Sequence, residues 1–137
     1  GDFHPNQLAV SDNRLFLFDF DELCLGNAEW DLASFIVDLQ VNNYPQWQIE
    51  AMVSALLSGY CDENPSAISP DRLAYYICMQ LLTKAYRLYS YRSHIKNLAG
   101  QISRLIGLVN FENQLIVSAH SRKFPMSELT SYVRMNG

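Results

Sequence analysis

Clustered positive charge is the first thing this sequence lacks. Ten Lys and Arg residues stand against fourteen Asp and Glu, a formal net charge of −4 over 137 residues, and no run of basic residues occurs. Nucleic acid and anionic membrane both attract such runs, so neither is expected as a partner. Long apolar stretches are missing too: none approaches the ~20 residues of a membrane span. No secretory leader pattern is visible. Cysteine is sparse, with Cys24, Cys61 and Cys78 odd in number and without C-x-x-C spacing. That argues against a disulfide framework, and reduced thiols in a cytoplasmic setting are expected. Internal repeats and low-complexity segments are absent.

What is present is a chain 49% apolar and only 18% charged, the composition of a folded, soluble protein. Its length suits one domain, 1–137, with a core of its own. The polar residues able to do chemistry are concentrated in residues 1–33, while 34–137 read as a helical subdomain. Within the first part, Leu8-Ala9-Val10 and Leu15-Phe16-Leu17-Phe18 flank Ser11-Asp12-Asn13-Arg14. Two apolar runs around such a turn predict a β-hairpin. With Asp12-Asn13 as the turn, Val10 faces Leu15, Ala9 faces Phe16, and Gln7 faces Phe18. That register brings Gln7 beside Asp19, with Asp2 a few residues away. Two carboxylates and an amide oxygen are hard ligands of the kind Mg²⁺ takes.

The same stretch resembles the catalytic core of the aminoglycoside phosphotransferase and choline kinase group, relatives of the protein kinases. That group carries a catalytic loop H-G-D-x-H-P-x-N, a hairpin, and a metal loop I-D-F-x-x-x-x-x-G-x-x-x-x-D-L-A. This sequence reads Gly1-Asp2-Phe3-His4-Pro5-Asn6-Gln7, then Phe18-Asp19-Phe20, Gly26, and Asp31-Leu32-Ala33. It departs in lacking the histidine before Gly1 and in having Gln7 where asparagine is usual. The resemblance implies the C-terminal lobe of a protein-kinase-like fold, mainly α with one small hairpin near its N-terminus. It also implies ATP as phosphoryl donor, Mg²⁺, and a small hydroxylated substrate. The phosphate-covering loop and nucleotide-gripping lysine of an N-terminal kinase lobe are not found. The chain is therefore expected to be part of a larger enzyme, inactive alone and prone to self-association through apolar surface around the hairpin.

Under that resemblance Asp2 orients the acceptor hydroxyl, and Asp19 and Gln7 hold Mg²⁺ on the nucleotide. An acid directly after an apolar strand costs solvation unless a cation or donor meets it, which supports the role of Asp19. Asn6 is the rival of Gln7, requiring a loop shifted by one residue. His4 reads as tying down the loop, and Asp31 as holding the catalytic loop by hydrogen bonds. Asp21 and Glu22 lie where a cationic substrate would approach, or belong to a solvated loop.

Four helices are predicted downstream. The first opens at Gly26-Asn27 with Asn27 as cap and carries Leu32, Ile36 and Leu39. The second carries Ile49, Met52, Val53, Leu56, Leu57 and Tyr60 on one face, weakened at its end by Gly59. The third starts at Ser69-Pro70-Asp71, with cap, proline and acid in their favoured places, and runs to about Arg92 along Leu73, Ile77, Leu81, Ala85 and Leu88. The fourth is marked by Ile95 to Val109, with Gly100 and Gly107 expected at close contacts. A short helix within 125–135 is possible. Tyr86, Lys84 and Arg87 are candidates for lining a substrate pocket. Two other functions are weighed. In a haloacid dehalogenase-like phosphatase Asp19 would be the nucleophile and Asp21 the acid/base, but alternating strands and helices should follow. A non-catalytic kinase relative, or a helical binding module, is the other.

Overall fold

The computed structural model describes residues 2–42, 44–64, 68–91 and 97–119. Within them the chain is helical apart from one hairpin, as composition and periodicity predict. Strand β1 (Leu8–Ser11) pairs antiparallel with β2 (Arg14–Leu17), matching Val10 to Leu15 and Ala9 to Phe16. One step beyond the ladder, the Phe18 amide donates to the Gln7 carbonyl at 2.9 Å, so the expected facing of Gln7 and Phe18 holds. Asp12 (φ 50°) and Asn13 (φ 59°) both adopt left-handed backbone. Positive φ at both central residues is the type I′ geometry whose twist matches the strands, and short polar side chains tolerate it best after glycine.

Helix α1 (Ala28–Val41) is the axis of the fold. Every residue from Leu32 to Leu39 is buried, so it has no solvent face over two turns. That fits a helix apolar all round rather than along one stripe. Helix α2 (Gln46–Glu63) packs on it through Ile49, Val53 and Leu57, and continues a turn past Gly59. Helix α3 (Pro70–Tyr91) lies against both α1 and α4 (Leu98–Ala119). Its Leu73, Ile77, Leu81 and Ala85 are buried in the expected stripe. The Ser69 hydroxyl accepts from the Arg72 amide at 3.4 Å, capping α3 as expected.

Three local expectations need correction. Asn27 occupies the cap position of α1 but makes no side-chain cap; its Nδ2 instead donates to the Tyr76 hydroxyl at 2.8 Å, tying α1 to α3. Gly107 is not at a close contact, because a Cβ there would meet nothing within 4 Å. At Gly100 a Cβ would run into the Asn97 side chain, so the glycine makes room for the residue that opens its own helix rather than for a neighbouring one. Helix α4 extends ten residues beyond Val109, further than its apolar pattern indicated. Ile95 and the possible helix at 125–135 fall outside the described residues.

Candidate active site

The chain enters the site through the segment from Asp2 to His4 and a 3₁₀ turn at Pro5–Gln7. Phe3 anchors it, its ring stacked on Phe35 of α1 with centroids 5.1 Å apart. The turn closes through the Gln7 amide donating to the His4 carbonyl at 3.0 Å, and the His4 amide donating back to Gln7 Oε1 at 3.3 Å. Gln7 is thereby buried and its side chain fixed. His4 Nε2 stands 4.0 Å from Asp2 Oδ2, and its enclosed Nδ1 has no hydrogen-bond partner among the described residues. His4 flanks the turn, and the two hydrogen bonds that close it use the His4 backbone rather than its ring.

At the same open end of the hairpin, just after β2, Asp19 takes φ 63°. Left-handed backbone at a residue other than glycine is sparsely populated and concentrates at functional sites. The kink turns the chain out of β2 directly after Phe18. From there Phe20 to Leu25 wrap outward, ending where α1 begins.

An open cleft of about 430 Å³ lies between these two segments. Asp2 and Gln7 line it from the N-terminal segment and its turn, Asp19, Asp21 and Glu22 from the loop after β2, and Asp31 from the first turn of α1. The cleft thus gathers Asp2, Gln7, Asp19, Asp21, Glu22 and Asp31 of the residues that the sequence put forward, and leaves out the others. His4 is not in the cleft lining, and Asn6 lines a different concavity, beside Asp38 and Lys84. Gln7, not Asn6, shares the cleft with Asp19. Lys84 and Arg87 also line that other concavity, whereas Tyr86 is exposed outside it.

The cleft is strongly acidic, since five carboxylates line it and no lysine or arginine does. A polyphosphate entering alone would be repelled; one carrying a divalent cation would not. No three His, Cys, Asp or Glu side chains among the described residues converge into a ready-made metal cage. Mg²⁺ does not require one, because it is commonly held by one or two carboxylates with water and substrate phosphate completing the shell. The amide oxygen of Gln7 also fits. It has two lone pairs, and the His4 amide occupies one.

Two supports escaped sequence reasoning. Glu29, in the first turn of α1, is fully buried. Its Oε1 accepts from the Ser69 amide at 2.8 Å and from Arg72 Nε and Nη2 at 3.1 and 2.8 Å, locking the starts of α1 and α3 together. Burial pushes this carboxyl's pKa up, but the Ser69 and Arg72 hydrogen bonds outweigh it and leave the group below its ordinary value. Phe3 is the second. An acid at a helix start and an aromatic in a loop carry no local signal of what they will meet across the fold.

The model of the phosphotransferase enzyme family matches residues 1–76. That span holds the 3₁₀ turn, the hairpin, the acidic loop, α1, α2 and the start of α3, more than half of the chain. The protein belongs to the phosphotransferase enzyme family. No curated protein and no solved structure matches it at a significant level. A phosphatase of the haloacid dehalogenase type is set aside by the architecture, because four helices follow the hairpin among the described residues and no further strand does.

Proposed function

We propose that this chain is the catalytic lobe of an ATP- and Mg²⁺-dependent kinase that phosphorylates a hydroxyl of a small molecule. The observation that carries this reading is the meeting of Asp2, Gln7 and Asp19 in one cleft, from segments that only the hairpin brings together. In it Asp2, exposed at the cleft wall, accepts a hydrogen bond from the acceptor hydroxyl and takes its proton as the new phosphorus–oxygen bond forms and the bond between the terminal phosphorus and the departing nucleoside diphosphate breaks. Asp19 and Gln7 would hold the cation, which when bound supplies charge neutralisation on the donor phosphates. Asp31 and the Phe3–Phe35 stack keep both loops in register with α1. Asp21 and Glu22 would favour a cationic acceptor.

The hairpin face supports a further element of the reading. Leu17, Phe18, Phe20 and Leu23 line the cleft and are all exposed, and the hairpin beyond them also exposes Val10, Leu15 and Phe16, apolar surface of the kind that marks an interaction site. A nucleotide-covering lobe packed there would bury it and complete the phosphate clamp.

The test is steady-state kinetics on the intact enzyme. Asp2→Asn should lower kcat by about 10²-fold or more with nucleotide affinity unchanged. Asp19→Asn should weaken Mg-ATP binding as well as turnover. If both variants match the wild type across hydroxylated acceptors, the kinase reading fails and a binding module is the better description.

A further inference from the structure

The concavity reached by Asn6 has a volume of about 430 Å³, within the range of about 300–1,000 Å³ of small-molecule sites. Its chemistry is opposite in sign to that of the acidic cleft. Asp38, in the last turn of α1, has both oxygens engaged, Oδ1 by Lys84 Nζ at 3.0 Å and Oδ2 by Asn42 Nδ2 at 2.7 Å. Asp38 and Lys84 therefore cancel. Arg87, three residues along α3, lines the same space, and no carboxylate among the described residues pairs with it. Of the carbonyls ending α1, Asp38 O accepts from the Asn42 amide and Gln40 O from Arg104 Nη2 at 3.1 Å. A cation is thus left facing a concavity whose other polar walls are the Asn6 and Asn42 amides and the Tyr91 hydroxyl.

We propose that this concavity is a second ligand site, taking a small molecule through an anionic group held by the Arg87 guanidinium. A planar fork with several N–H donors suits a carboxylate or phosphate better than an ammonium does. Asn6 and Tyr91 add hydrogen bonds to the polar remainder. The site adjoins the catalytic machinery through one turn, since Asn6 and Gln7 are consecutive and look into different spaces.

The test is amide and guanidinium NMR on the ¹⁵N-labelled 137-residue chain, titrated with sodium phosphate or sodium acetate against sodium chloride at matched ionic strength. The expected result is a saturable shift at Arg87 Nε–H and at the Asn6 and Asn42 side-chain amides, with half-saturation at about millimolar concentration. Arg87→Gln should weaken it at least tenfold, and Arg87→Lys should restore only part. Arg87 is exposed, so these variants keep the fold, which far-UV circular dichroism verifies. Whichever of phosphate and acetate saturates at lower concentration identifies the anionic group. No saturation with either anion, equal titration of Arg87→Gln, or shifts confined to Gln7 and Asp19 overturns the proposal. The readout is binding alone, so it stands or falls separately from the kinase reading.

Discussion

Removing the Glu29 carboxylate should cost this small domain a measurable share of its stability, and the geometry sets how much. In Glu29→Ala the half-buried Ser69 amide at the start of α3 loses its acceptor, a loss worth about 1–2 kcal/mol, below the full penalty of a completely buried donor. The interaction of that negative charge with the positive end of α3 goes with it, about 0.3–1 kcal/mol. Arg72 adds little to the penalty, because it is 54% exposed and rehydrates when freed. Glu29 Oε2 is buried without a partner, so deleting it returns some desolvation cost. The balance is a destabilisation of about 2 kcal/mol, a fall in Tm of about 4–10 °C for a domain of this size. Glu29→Gln keeps the acceptor and should lose roughly half as much. The pH dependence has a definite sign. The folded-state pKa lies below the ordinary 4.5, so the contribution is complete above that value and disappears as pH falls through the folded one. The gap between wild type and Glu29→Ala, followed by urea and thermal unfolding, should therefore narrow on acidification. A loss under about 0.5 kcal/mol at pH 7, or a gap that widens in acid, would refute this account.

Leu81→Ala, at a fully buried position of α3, should cost about 2–5 kcal/mol in the same unfolding assay. Phe3→Leu removes the stack on Phe35, worth about 0.5–1.5 kcal/mol; it should lower kcat of the intact enzyme more than it lowers Tm, since the ring fixes a loop rather than filling the centre of the core. Gln7→Asn should weaken the catalytic turn, because the shorter amide cannot reach back to the His4 amide as Gln7 does, and a raised metal requirement in the kinetics would show it. Sedimentation of the 137-residue chain should reveal concentration-dependent self-association through the hairpin face, abolished by Leu15→Glu; a wild-type chain that stays monomeric contradicts that.

The hairpin and most helix positions were legible in the sequence because their causes are local. Asp12-Asn13 specifies a turn, the turn fixes register, and register places Gln7 against Phe18 without reference to the rest of the chain. Leu73, Ile77, Leu81 and Ala85 repeat along one helical stripe whatever they pack on. Gln7 is the mixed case. Its place in one cleft with Asp19 followed from register, but its hydrogen bond to His4 depends on the 3₁₀ turn, which no pairing pattern announces. Glu29, Phe3 and the Asn27–Tyr76 pair were not legible, since each partner is separated by dozens of residues and chosen by helix packing. Gly107 misled for the reverse reason. A glycine inside a helix reads as a contact point, and here open space lies beside it.

The left-handed backbone of Asp19 has a consequence for how such a chain can change over time. Asn and Gly share aspartate's tolerance for that conformation, so either can replace it and leave the bend after β2 undisturbed. The charge is then lost while the architecture survives. A β-branched residue would lose both together. Asp19 is thus a point where descendants can shed a charge and keep their shape, and a relative carrying Asn or Gly there should fold as this one does.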